Sequence, residues 1–295
     1  MRISIIIGSK RMVIRVSVIF TKGQKERLCE LGIDDDRAFA EYESTAVREK
    51  AYKALEKEAV TENRKALNTL LNDTHMPKLC RLRQQLENAL CSNGFTELTT
   101  PTIISKKFLD RMTIDGSHPL NSQVFWLDNK TCLRPMLAPN LYDVSKSLLN
   151  LSKRPLRVFE IGSCFRKESE GKSHLKEFTM LNVVEWGTPI EQRNDRLKEI
   201  ARLVLEAACI EDYKFEEEES VVYGKGLDVV SNNGLELAST SMGPHPLDKA
   251  WKITDSWVGI GFGLERLLMH REKANGIHRY SKSIAYLDGA RLNVK

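Results

Sequence analysis

From residue 120 onward the chain is a succession of short strand patterns separated by turn residues, at 123–127, 132–134, 156–161, 178–186, 214–218, 226–230, 235–241 and 257–261. Amphipathic helical patterns intervene at 140–151, 191–208 and 263–273. Strands joined at hairpin length, with the helices set apart from them, predict an α+β fold built on a mainly antiparallel sheet flanked by helices.

The text before this region is different. Residues 22–72 are polar and rich in helix formers, as in Ala46-Val-Arg-Glu-Lys-Ala-Tyr-Lys-Ala-Leu-Glu-Lys57, which predicts solvated helix. A second amphipathic helix opens at Pro77, carries Leu79, Leu82, Leu86 and Ala89 on one face, and closes at Asn93-Gly94. Residues 95–104 then read as a strand punctuated by Pro101. The expected division is a helical N-terminal region, 1–75, and one domain over 76–295. With 41% hydrophobic and 29% charged residues the chain has enough apolar surface to fold, and no uncharged apolar run reaches the roughly 18 residues of a bilayer span, so no membrane partner is expected. The net charge of +5 permits contact with a polyanion without requiring one. Six cysteines, at 29, 80, 91, 132, 164 and 209, contain no C-x-x-C pair, which argues against zinc and for free thiols in a reducing cytoplasm. The apolar stretch at the N-terminus is too interrupted for a signal-peptide core.

Leu156-Arg-Val-Phe-Glu-Ile-Gly-Ser-Cys-Phe-Arg-Lys-Glu168 is an apolar strand ending in charge, and Phe178-Thr-Met-Leu-Asn-Val-Val-Glu-Trp186 is its return across the polar loop 169–176. A long charged hairpin tip suits a lid over a charged ligand. Arg166 is the natural phosphate partner, because a guanidinium fork matches phosphate oxygens and keeps its charge. Glu168 can accept a hydrogen bond from an exocyclic amine such as that of adenine. Taken alone, the two read equally as a surface ion pair. Gly171-Lys-Ser173 is not the tail of a P-loop, since Arg166 stands where the first glycine belongs and the segment joins two strands. His174 is either solvated or reaches a phosphate when the loop closes.

Trp257-Val-Gly-Ile-Gly-Phe-Gly-Leu-Glu-Arg266 is a glycine-rich strand entering a helix, suited to close backbone approach of an anionic ligand, and Arg266 in place of a third spaced glycine excludes a dinucleotide fingerprint. Glu236 and Ser239 offer oxygen ligands to Mg2+, against the plain alternative of an edge-strand glutamate in solvent. In 133–142, a helix starting near Pro139 brings Ala138, Leu141 and Tyr142 together within one turn. The period of two places Met180, Asn182, Val184 and Trp186 on one strand face, where Asn182 either orients a ligand in an apolar pocket or is a core amide satisfied by backbone.

Phe165-Arg-Lys-Glu168, Gly261-Phe-Gly-Leu-Glu-Arg266, and the helix and strand ending at Pro101 resemble motifs 2, 3 and 1 of the class II aminoacyl-tRNA synthetases and occur in the family's order. The longer matches at 133–142, 159–169, 177–182 and 259–268 resemble the pyrrolysine-specific branch of that family. The resemblance begins near residue 18. It therefore places 1–17 outside the shared chain, as an artefactual or disordered extension with Met12 as the expected start, and it covers no separate N-terminal tRNA-binding domain.

The resemblance implies a class II catalytic domain and a two-step ligase that uses ATP and Mg2+ to activate pyrrolysine and pass it to a tRNA with a CUA anticodon. It implies Arg166 and Arg266 as catalytic residues, and an ATP site of Arg166, Glu168, His174, Leu175, Phe178, Glu236, Ser239 and Arg266. In that site Phe178 and Arg266 would sandwich adenine, and Glu236 with Ser239 would hold the metal. The amino-acid pocket would be Ala138, Leu141, Tyr142, Met180, Asn182, Val184, Tyr223, Trp257 and Gly259, with Asn182 on the side-chain amide carbonyl. A homodimer through motif 1 is expected. Two other functions use the same residues: a paralogue acylating a non-tRNA acceptor, and a catalytically silent regulatory module.

Overall fold

The computed structural model describes residues 2–8, 11–73, 75–151, 153, 155–167, 174–220 and 222–294. Two compact units are formed, Met1–Pro77 with Ala274–Lys295, and Lys78–Lys273.

The first unit opens with strands β1 (Arg2–Gly8) and β2 (Arg11–Ile19), antiparallel from Arg2 opposite Ser17 to Gly8 opposite Arg11. They occupy most of the stretch that the resemblance places outside the shared chain as an artefactual or disordered extension, and their isoleucines and valines are strand formers. Helix α1 (Lys22–Leu31) starts at a capping box of Thr21 and Gln24 and stops at Gly32, whose φ of 95° suits glycine. Helix α2 (Asp35–Ala38), strand β3 (Glu41–Tyr42) and the long helix α3 (Thr45–Asn72), capped by Ser44, follow. Phe20, Leu28, Leu31, Ile33, Ala38 and Ala59 form the core of this unit.

The second unit begins with helix α4 (Lys78–Ser92), which buries Leu82, Leu86 and Leu90 and ends at Gly94, φ 80°. The strand expected over 95–104 is two strands, β4 (Thr96–Glu97) and β5 (Ile103–Ser105), because Pro101 has no N–H to continue a ladder. Helix α5 (Lys106–Arg111) and strand β6 (Thr131–Leu133) follow. No strand spans 123–127. A 3₁₀ turn covers Pro119–Gln123, and a single bridge pairs Trp126 with Cys132 where Asp128 accepts the amides of Lys130 (2.6 Å) and Thr131 (2.7 Å). Then come α6 (Ala138–Leu149), β7 (Leu156–Phe165), β8 (Glu177–Trp186), α7 (Arg193–Ala207), β9 (Tyr213–Ser220), β10 (Gly224–Ser231), β11 (Glu236–Gly243), α8 (Asp248–Trp251), β12 (Trp257–Gly263) and α9 (Leu264–Arg271).

Seven strands form one sheet in the order β4-β7-β8-β12-β11-β10-β9. Only β4 and β7 run parallel; the other neighbours are antiparallel, as the hairpin spacing predicted. The two sheet faces are covered differently. Glu185 of β8 accepts from Arg196 of α7, so α7 lies on the face of the odd-numbered β8 residues, and Glu265 of α9 accepts from the Thr179 amide, which ties α9 to β8. Tyr142 of α6 meets Trp186 and Trp257 on the other face.

After Lys273 the chain returns to the first unit through β13 (Tyr286–Leu287) and β14 (Ala290–Arg291). The sequence reading groups this tail with the sheet domain. It is held instead by Asn275 donating to the carbonyls of Cys29 and Ile33 (3.1 Å each) and by the Arg291 amide donating to Asn63 (2.6 Å), long-range bonds that no local pattern announces.

Candidate active site

The α6-facing side of the sheet is defined by register, since residues directly opposite in antiparallel strands share a face. Asn182, Val184 and Trp186 of β8 lie opposite Gly261, Gly259 and Trp257 of β12, and Gly261 and Gly259 lie opposite Ser239 and Ser241 of β11. On the other side Asn182, Met180 and Phe178 lie opposite Glu160, Gly162 and Cys164 of β7. Gly261 is the floor of this face: a Cβ there would come within 2.7 Å of the Met180 methyl.

Glu236 and Ser239 are three residues apart and would point to opposite faces of a regular strand. A bulge removes the conflict. Val229 pairs with Ala238 and Val230 with Glu236, so Leu237 is an extra residue and Glu236 comes to the same face as Ser239. The pair presents carboxylate and hydroxyl oxygens, the donor chemistry of Mg2+, to the face that holds Asn182. Among the described residues no group of three or more His, Cys, Asp or Glu forms a closed metal cage.

One end of the face is an apolar cluster. Ala138, Leu141 and Tyr142 of α6 are buried in one cluster with Val184 and Trp257, and Asn182 is buried two residues before Val184 on the same strand face. The Tyr142 ring meets Trp186 edge-on at 5.4 Å and Trp257 at 5.8 Å, and stacks on Trp251 at 5.4 Å. Tyr223 stands 6.0 Å from Trp257 and 5.6 Å from His245. Beneath the rings lies Asp248, 4% exposed, accepting from the Tyr142 hydroxyl (2.9 Å), the Trp257 indole N–H (3.0 and 3.1 Å) and the His245 amide (2.6 Å). Burial, with Tyr223 and the Asp248 charge nearby, pushes the Tyr142 hydroxyl far above its ordinary range, so it stays a neutral donor; burial does the same to Tyr223. Sequence reasoning missed Asp248 and Trp251. The signal available was a carboxylate inside an apolar run, Pro246-Leu-Asp-Lys-Ala-Trp251.

The other end is cationic. Arg166 follows β7, donates from Nε to the Pro135 carbonyl (2.9 Å), and holds its guanidinium 5.3 Å from the Phe178 ring. Arg266, in the first turn of α9, lies 3.1 Å from Glu236 Oε1. Its neighbour Glu265 is buried, and both its oxygens accept from the Thr179 amide at 2.9 Å, tying α9 to β8 beside Phe178. Sequence reasoning missed that tie as well. His174 and Leu175 are half-buried where the described chain resumes. Glu168 and Gly171-Lys-Ser173 lie outside the described residues.

The arrangement thus offers guanidinium groups and an aromatic ring suited to a nucleotide, an oxygen pair suited to a hard cation, and beside them a buried apolar cluster with one amide. None of the six cysteines is in a disulfide. No described helix is long and apolar enough to cross a membrane.

The family model described as the phenylalanyl tRNA synthetase beta chain CLM domain matches residues 71–233. A threonine–tRNA ligase of Psychrobacter cryohalolentis is 30% identical over 95 residues, which are 32% of this chain and 15% of that ligase. A crystal structure of pyrrolysyl-tRNA synthetase from Desulfitobacterium hafniense superposes with a TM-score of 0.89 at 48% identity, covering 95% of this chain and all of that one. A structure of PylSc, a pyrrolysyl tRNA synthetase of the same organism, gives 0.87 and 48% over 94% of this chain and 96% of that one.

Proposed function

The chain belongs to the pyrrolysyl-tRNA synthetases of the class II aminoacyl-tRNA synthetases, and we propose on that premise that it activates pyrrolysine with ATP and transfers it to a tRNA with a CUA anticodon. The observation that supports this reading is the single sheet face on which a guanidinium end, a two-oxygen pair and an apolar cluster with one buried amide lie side by side.

In the first step a carboxylate oxygen of the amino acid attacks the α-phosphorus of ATP. The new P–O bond forms as the bond to pyrophosphate breaks, and the aminoacyl-adenylate remains. Such a displacement needs positioning and charge neutralisation more than covalent help from protein. Arg166 binds the α-phosphate, and Phe178 and Arg266 take the two faces of adenine. Glu168 accepts from the adenine amine, His174 reaches the terminal phosphates, and Leu175 lines the nucleotide. Glu236 and Ser239 hold Mg2+, which supplies charge neutralisation of the phosphates when bound. In the second step the terminal ribose hydroxyl of the tRNA attacks the acyl carbon and AMP leaves.

Ala138, Leu141, Tyr142, Met180, Val184, Tyr223, Trp257 and Gly259 enclose the lysine-derived side chain, and Asn182 donates to its amide carbonyl. Apolar walls discriminate by only about 1–3 kcal/mol per methylene, whereas a buried amide left unpaired rejects a wrong side chain more strongly. The protein acts as a homodimer through α4 and the strands after it. Basic surpluses at 146–176 and 270–295 contact the tRNA backbone, so binding weakens steeply with salt. The test is aminoacylation: the amber tRNA should be charged with pyrrolysine and not with lysine. A purified protein that forms the adenylate but charges no tRNA would overturn the transfer half of the reading.

A further inference from the structure

Arg134 lies outside every role assigned above, yet it is among the most constrained side chains of the second unit. Its guanidinium is 4% exposed and pairs with Glu160, 2% exposed, at 2.7 Å. Nε donates to the Ser163 carbonyl (2.8 Å), and Nη1 donates to the carbonyl (3.1 Å) and hydroxyl (3.0 Å) of Thr100. Glu160 in turn accepts from the Thr100 amide (3.2 Å) and hydroxyl (2.7 Å). Asn140, at the start of α6, donates to the same hydroxyl (2.6 Å) and to the Pro101 carbonyl (2.9 Å).

The backbone around Arg134 is pinned as well. Its amide donates to Thr102 (2.9 Å), and its carbonyl accepts from the Phe165 amide (2.9 Å). The next carbonyl, of Pro135, accepts from Arg166 Nε. The chain of contacts therefore runs from a buried ion pair, through one peptide unit, to the guanidinium that faces Phe178. A guanidinium fork serves a phosphate only when its plane is correctly aimed, and displacements of about 1 Å in such groups can cost 10²-fold in rate.

We propose that Arg134 is a positioning residue for Arg166: locked by Glu160, Thr100 and Ser163, it fixes the Pro135 carbonyl and so aims the Arg166 guanidinium at the α-phosphate. This rests on the reading of Arg166 as the phosphate residue. It also explains Gly162, which lies below the network on β7. A Cβ there would fall inside contact distance of Arg134 Nη2 and 3.3 Å from Glu160 Oε1, so any larger residue displaces the locked guanidinium.

Two variants test the proposal without touching Arg166. Gly162→Ala pushes the Arg134 guanidinium aside, and Arg134→Lys keeps the charge but loses the fork. AMP and adenosine affinities are measured by calorimetry on each folded variant, because their ratio reports the α-phosphate contact independently of the amino-acid substrate. Both variants should cut the preference for AMP over adenosine about tenfold, the scale of a charge-assisted hydrogen bond, with adenosine affinity unchanged. In parallel, kcat for ATP–pyrophosphate exchange should fall with KM for pyrrolysine unchanged. An unaltered AMP preference in both variants would overturn the proposal, as would equal losses for AMP and adenosine, which mark a merely structural role. Arg166→Ala is the control: if it leaves the preference intact, the assignment of Arg166 itself is wrong. If the preference responds but the parent protein shows no pyrrolysine-dependent exchange, the substrate reading fails and the positioning role stands.

Discussion

Asp248 offers a quantitative test of how the proposed amino-acid pocket is built. Replacing it by Asn keeps the shape and removes one acceptor oxygen and the charge. In the native protein Oδ1 accepts from Tyr142, Oδ2 accepts from His245, and Trp257 bridges both. Whichever way the new amide sits, its NH2 group faces a donor. If it replaces Oδ2, the His245 amide is orphaned; if it replaces Oδ1, the Tyr142 hydroxyl must turn away. A buried donor stripped of its acceptor costs about 1–3 kcal/mol, and the lost charge weakens the bonds that remain, so a total near 2–4 kcal/mol follows. For a unit of this size that is a fall in Tm of roughly 5–15 °C. The same loss frees the Tyr142 and Trp257 rings, so KM for the amino acid should rise about tenfold while KM for ATP holds. Calorimetry and pyrophosphate exchange measure both. A variant that melts within about 1 °C of the parent, or that loses both substrates equally, would refute the view that Asp248 anchors the pocket walls.

Asn182→Ala should weaken pyrrolysine selection by roughly 10–100-fold in kcat/KM with ATP binding preserved; equal losses would count against the pocket assignment. Glu185 is buried, and although burial opposes it, the hydrogen bonds from Arg196 and Arg157 hold its carboxyl below the ordinary 4.5. A depressed folded pKa adds stability above the unfolded value, and that stability is lost as pH falls through the folded one. Glu185→Gln should therefore cost about 1–2 kcal/mol in urea unfolding at neutral pH, and the difference should vanish in acid; a pH-independent difference would exclude the charge as its cause. Burial pushes the Cys132 and Cys164 thiols up to about 11 and about 12. Iodoacetamide at pH 8 should label the exposed Cys80, Cys91 and Cys209 and spare those two, and comparable labelling of Cys164 would show an open core.

Much of the architecture is written locally. The period of two in 178–186 and the Asn93-Gly94 stop are near-neighbour signals: the first is strand β8 of the antiparallel sheet, and the second ends helix α4. What the sequence conceals is set by distant partners. Patterning makes 95–104 one strand because apolar content continues through Pro101, but the ladder cannot. The bulge at Leu237 leaves no local trace, although it decides which face Glu236 joins. Sequence patterning assigns no role to Asp248, Glu265 or Arg134, and only the fold shows that each is buried and bonded to groups far along the chain.

The order of strands carries one more consequence. The β7–β8 hairpin and the β9–β12 meander each pair only strands adjacent in sequence, so each can form by itself as a local folding event. Asn182 and Phe178 belong to the hairpin, whereas the glycine floor, Glu236 and Ser239 belong to the meander. Neither half contains the proposed site; its residues come together only along the seam where β8 meets β12, with Trp186 against Trp257. A chain severed in the connection after α7 would thus divide the chemistry as well as the sheet. Its activity would become a reporter of whether the two pieces have found each other.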